Sequence, residues 1–226
     1  MTGLLLLARS PRRGAAAVLA HGSVPVAVVL VLLATAVAAV NAARFAADVP
    51  ASSVLFGDTR SPAITALIDS LGRDRAAIIA YLIEQSWTAV IVATALSPVL
   101  VWLLGATAVH AAARLDGVRR PFGPVLVLFG YATALARVPS DGAAALLGSG
   151  PGVGAQVAGL IGTAGLIWLA VVAWRAIEIH YAVPQRRAFI VLVYAIVVFY
   201  LMPLVLIVAS VVVLIVAAVV LEYVPR

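Results

Sequence analysis

Few residues in this chain are equipped for chemistry. The three histidines are His21, His110 and His180. Three neutral imidazoles brought together can bind a metal or a pigment. No two of them lie three or four positions apart, so no local ligand motif exists. The alternative is three unrelated side chains at a membrane interface. Arg137 and Asp141 are four apart and would pair across one helical turn if a helix ran through Pro139. The Ser140-Asp141-Gly142 turn signal points instead to Arg137 snorkelling to the interface. Glu84 and Gln85 precede an apolar run that starts near the aromatic anchor Trp87, which keeps Glu84 outside it; a helix starting at Ala76 would instead carry Glu84 to lipid depth as a proton or cation site. Arg175 and Glu178, with His180, Arg186 and Arg187, form the densest polar cluster. It suits docking of a partner or of anionic lipid, and it equally suits control of topology by positive charge.

The enzyme signatures are missing. The chain contains no cysteine, which excludes disulfides, thiolate metal sites and cysteine nucleophiles. GxSxG, HExxH, a dinucleotide fingerprint and a phosphate loop are all absent, and Gly148–Gly154 reads as a flexible turn. The expectation is a protein that is not an enzyme, with no cofactor and no metal.

What must position these residues is set by composition. Of 226 residues, 65% are hydrophobic and 11% charged. Soluble domains run near 45–50% and 25%. A chain of this length cannot bury so much apolar surface in a soluble fold, so lipid must solvate it. All fifteen basic residues are arginine, which fits a GC-rich bacterial source. The net charge of +6 does not signal nucleic acid, because the arginines sit at the ends of apolar runs.

About 20 apolar residues cross the hydrocarbon core. The sequence predicts an all-α integral membrane protein with five transmembrane helices in one domain, residues 1–226. The spans are about 23–43, 86–111, 121–138, 153–174 and 188–221. The last run holds no charge over 34 residues. As a single helix it is about 51 Å long, too long for a core of about 30 Å. Pro203 within it predicts one helix kinked near Met202–Leu204, with a re-entrant pair as the alternative. Residues 3–20 read as a short amphipathic helix on the interface. In the extracytoplasmic segment 45–85, Ile64, Leu67, Ile68 and Leu71 share one helical face, so a surface helix is expected at 62–72.

Arginine placement gives the orientation. With the N-terminus in the cytoplasm and the C-terminus outside, the inner segments hold nine arginines against Asp116 and Glu178. The outer segments hold six arginines against seven acids. Positive charge concentrates on the cytoplasmic side of membrane proteins, so N-in/C-out follows. The fourth span also carries small-xxx-small faces at Ala155/Gly159 and Ala158/Gly162, which suit close helix packing.

Several stretches together resemble the Yip domain family, membrane proteins named for interacting with Ypt/Rab GTPases. They are Ala8-Arg9-Ser10-Pro11-Arg12-Arg13 before the first span, Gly123 and Gly130-Tyr131-Ala132 in the third, and Trp168 in the fourth. The loop from Glu178 through His180-Tyr181-Ala182-Val183-Pro184-Gln185-Arg186-Arg187 to Ala188, leading into the fifth span, completes the set. The resemblance covers about three quarters of the chain and implies five spans, N-in and C-out. It carries no catalytic residues. The expected function is a non-catalytic membrane scaffold that engages other membrane or peripheral proteins, or a homo-oligomer, and contacts membrane lipid in a bacterial cytoplasmic membrane. The alternatives are an accessory subunit of a respiratory, photosynthetic or transport complex, and a small transporter or channel. Little polarity lies at mid-span, which argues against a transporter.

Overall fold

The computed structural model describes residues 2–48, 73–148 and 153–223. Those residues form seven helices and no strand. They are α1 (Thr2–Arg9), α2 (Pro11–His21), α3 (Val24–Asp48), α4 (Arg73–Leu115), α5 (Gly123–Leu147), α6 (Val153–His180) and α7 (Gln185–Tyr223). Four of them contain stretches long and apolar enough to cross a membrane: Val24–Asp48, Ser86–Leu115, Val153–His180 and Gln185–Val205. The surface helix expected at 62–72 lies outside the described residues.

Contacts fix the packing directions. Ala27 of α3 meets Gly130 of α5, and Arg44 of α3 donates to the carbonyl of Ala145. The two helices therefore run parallel. Trp102 donates to the Leu126 carbonyl at 2.7 Å and Ser97 meets Arg137, so α4 runs antiparallel to α5. Gly165 lies over Ala136 and Gly154 over Leu147, so α6 is antiparallel to α5 as well. A Cβ on Gly130 would come within 2.7 Å of Ala27, and one on Gly165 within 2.8 Å of the Ala136 carbonyl. Glycine sets both crossings by letting backbones approach.

Helix α5 is the centre of this bundle. Twelve of its 25 residues are buried, from Val125 to Ala145. The four membrane-length helices are covered far less by protein: the share buried in their most apolar windows is 33% for α3, 17% for α4, 17% for α6 and 22% for α7. A helix wrapped by its neighbours does not need an apolar outer surface. That explains why the one helix carrying an internal arginine and aspartate sits in the middle.

Sequence and structure differ at three places. Where one short amphipathic helix is expected over residues 3–20, there are two. Ser10-Pro11 divides them, because proline has no N–H to continue α1 yet suits the first position of α2. The resulting helical pair packs onto α5 and α6 through Leu7, Ala15 and Val18, all buried. Secondly, α4 begins at Arg73, well before residue 86, and is 43 residues long. Hydropathy marked only its apolar part. Thirdly, the Ser140-Asp141-Gly142 signal does not end a helix. Helix α5 continues through Pro139 to Leu147, with the Ser140 hydroxyl bonding back to the Arg137 carbonyl at 3.1 Å. Gly148 then stops it with φ 86°, ψ 159°, a backbone only glycine adopts readily. The last run forms one helix, Gln185–Tyr223, with Pro203 inside.

Candidate functional site

The directions above bring five termini to one end: the starts of α3, α5 and α7 and the finishes of α4 and α6. The α1–α2 pair folds onto the same end. Of the arginines, Arg9, Arg12, Arg13, Arg114, Arg119, Arg120, Arg175, Arg186 and Arg187 belong to these segments.

Glu178 organises one side of this face. Its side chain is 15% exposed; the carboxylate accepts a hydrogen bond from Arg175 at 2.6 Å and forms an ion pair with Arg12 at 3.2 Å. One acid thus ties the N-terminal pair to α6. The Arg175 guanidinium lies 4.4 Å from the Trp174 ring centroid, and the Trp174 indole donates to the Gln185 carbonyl at 3.2 Å. On the other side, Arg187 reaches back to Asp116, at 2.7 Å to the carboxylate and 3.0 Å to the backbone carbonyl. That contact fastens α7 to the turn after α4. Each pair is partly solvated and contributes about 0–1 kcal/mol. Their combined effect is to hold three distant stretches of chain in register.

Two of the three histidines meet at Tyr181. His110 Nδ1 is 2.9 Å from the Tyr181 hydroxyl, and His180 stacks edge-on against the Tyr181 ring at 4.9 Å. His180 Nε2 lies 2.8 Å from the Pro121 carbonyl, so that nitrogen carries the proton and donates. Tyr181 is buried, which pushes its phenol up to about 12. It keeps its proton at neutral pH and can donate to His110. His21 stands exposed at the end of α2, without contact to the other two. No group of three His, Cys, Asp or Glu residues able to hold a metal occurs among the described residues. The imidazoles clamp helix junctions. Next to Tyr181, Ala182 takes a left-handed turn at φ 54° that redirects the chain into α7.

Arg186 is exposed beside Trp174 and Phe189, and it lacks an acidic partner among the described residues. Arg13, Arg119 and Arg120 are exposed in the same way. Spacing along the sequence missed Arg12 and Asp116 as partners. Their contacts span 166 and 71 positions, and no local pattern announces a pair that distant.

Four small residues of α6 line open space. Ala155, Ala158, Gly159 and Gly162 line a cavity of about 410 Å³ near the opposite end. A Cβ on Gly159 would meet nothing within 4 Å. The tight approaches on α6 are at Gly154 and Gly165. Across the cavity, Arg137 and Asp141 form an ion pair of 3.1 Å, with side chains only 22% and 6% exposed. Arg137 also donates to the Ser97 hydroxyl. Arg137 therefore does not snorkel at the interface: continuation of α5 through Pro139 places it on the same face as Asp141 and seals both.

A helical bundle with apolar outer surfaces, charge gathered at one end and one ion pair inside is an integral membrane protein. The Yip1 domain model matches residues 4–207, and the chain belongs to that family. No curated protein and no solved structure gives a significant match. The stretches that carry the family resemblance have structural work here. Gly130 makes the α3 crossing, Trp168 packs at the edge of the core under α2, and Glu178 to Ala188 supplies the turn that ties α1–α2, α4 and α5 together.

Proposed function

We propose that this chain is a non-catalytic Yip-type membrane scaffold whose arginine-rich end is a cytoplasmic docking face for other membrane or peripheral proteins. The observation that carries the reading is the fastening of that end. Glu178 with Arg12, His180 with Pro121, and Arg187 with Asp116 hold α1–α2, the α4–α5 turn and the α6–α7 turn together. Arg13, Arg119, Arg120 and Arg186 remain exposed on it, which suits an acidic partner surface.

The reading includes five crossings, with α5 as the third, N-in and C-out, in a bacterial cytoplasmic membrane. Support for the fifth crossing is topological. Helices α4 and α6 finish at the same end, and α5 joins them while running parallel to α3 at the same length of 25 residues. At about 1.5 Å per residue, α5 is about 37 Å long, enough for the core.

The natural absence of cysteine makes the test clean. Single cysteines at Ser53 and Arg119, probed in intact cells with an impermeant maleimide, should label from opposite sides. Labelling of both from outside sinks the orientation. Gentle affinity purification should then recover a stoichiometric partner. The triple change Arg119→Glu, Arg120→Glu and Arg186→Glu should release it without lowering thermal stability. Undiminished recovery would move the docking face elsewhere.

A further inference from the structure

The cavity at the opposite end combines features that the docking reading leaves unused. It is walled by α3, α4, α5 and α6, and Asp141 in its wall is 4% exposed. Asp141 Oδ2, Asn41 Oδ1 and Arg137 Nε have no hydrogen-bond partner among the described residues, and all three residues line this one cavity. Leaving such atoms unpaired in a membrane interior is expensive. Two of them accept and one donates. The pair itself is neutral overall, which favours neither a lone anion nor a lone cation.

We propose that this cavity binds the headgroup of an ethanolamine-type phospholipid. A primary ammonium donates N–H groups to Asp141 and Asn41, and the adjoining phosphate accepts from Arg137. The zwitterion matches the neutral pair. Its volume suits a headgroup rather than a whole lipid, and Phe45 and Val90 give an apolar wall on which the chains can lie. Asp141 sits six residues before the end of α5, about 9 Å below it, so a headgroup has only a short distance to move in from the interface to reach it. The open space over Gly159 is what makes room. This site lies at the other end from the docking face and stands or falls without it.

The test compares ethanolamine with choline headgroups. The two share phosphate, charge and chains, and differ in whether the nitrogen bears N–H. The purified full chain would be titrated with each lipid and read by native mass spectrometry. One ethanolamine lipid per chain is expected, with a preference of about tenfold or more over choline, the scale of a hydrogen bond to a charged group. A Cβ at Gly159 meets nothing within 4 Å, so Gly159→Leu adds bulk to the cavity wall and should abolish that preference while thermal stability holds. Asn41→Leu removes one acceptor and should reduce it, which keeps a readout if Gly159→Leu folds poorly. Equal binding of choline lipid overturns the proposal, as does an undiminished preference in both variants. Soluble glycerophosphoethanolamine binding as well as the lipid would overturn the assignment to lipid.

Discussion

The two ends of the bundle handle charge in opposite ways. At the arginine-rich end, ion pairs join residues far apart in sequence and keep one foot in water, as in Arg12 with Glu178 at 68% and 15% exposure. At the other end, a single pair four residues apart is enclosed between helices. The first arrangement is cheap to make and cheap to lose, and it acts by holding segments in register. The second is costly to form, because two ions leave water, and costlier to break, because removing one strands the other. Many weak ties build a surface, whereas one strong tie builds an interior.

The sharpest way to break that contrast is Asp141→Ala. It strands Arg137 and should cost about 3–5 kcal/mol, seen as a collapse of thermal stability in detergent. Removing both charges with Arg137→Leu and Asp141→Leu should recover most of the loss. If the single and double variants are equally unstable, the enclosed pair is not what matters.

Next in size is alkaline titration at the arginine-rich end. The Tyr181 phenol, ordinarily near 10.0, is pushed up to about 12 by burial. Below pH 10 it is neutral in both folded and unfolded chains and costs nothing. Between about pH 10 and 12 the unfolded chain ionises and the folded one does not, so stability falls by about 2–3 kcal/mol. Tyr181→Phe should flatten that part of a stability–pH curve.

A pair of α6 variants sharpens the contrast within one helix. Gly165→Leu drives a side chain into the Ala136 backbone and should cost about 1–3 kcal/mol. Gly159→Leu enters open space and should leave the melting temperature almost unchanged. Equal losses would mean that the cavity does not exist in the membrane.

The smallest effect is expected from Glu178→Gln, at most about 1 kcal/mol globally. Its local signature is clearer: limited trypsin cleavage after Arg12 and Arg13 should speed up once their segment loses its tie to α6. High salt should speed cleavage of the unaltered chain in the same direction.

Apolar runs and arginine clusters made most of this architecture legible in the sequence, including the location of four membrane-length helices and the polar cluster Arg175–Glu178. What hid from view has physical reasons. Hydropathy reports where lipid lies and not where a helix stops, so the extension of α4 back to Arg73 carried no signal. The turn chemistry of Ser140-Asp141-Gly142 was overridden by tertiary packing, which buried Asp141 against Arg137 and kept α5 going. The spacing Ala155/Gly159 named residues with room around them, but sequence does not tell whether a neighbour fills that room. Histidines apart in sequence met at Tyr181 only through the fold.

The tie between Arg12 and Glu178 also sets an order of events during synthesis. The leading helices emerge from the ribosome first, yet the carboxylate that receives Arg12 is made 166 residues later. Until then the segment has only the apolar surface of α5 to rest on, through Leu7, Ala15 and Val18. The α1–α2 pair therefore gains its ionic tie only after α3, α4, α5 and nearly all of α6 have been made, with α7 still to follow.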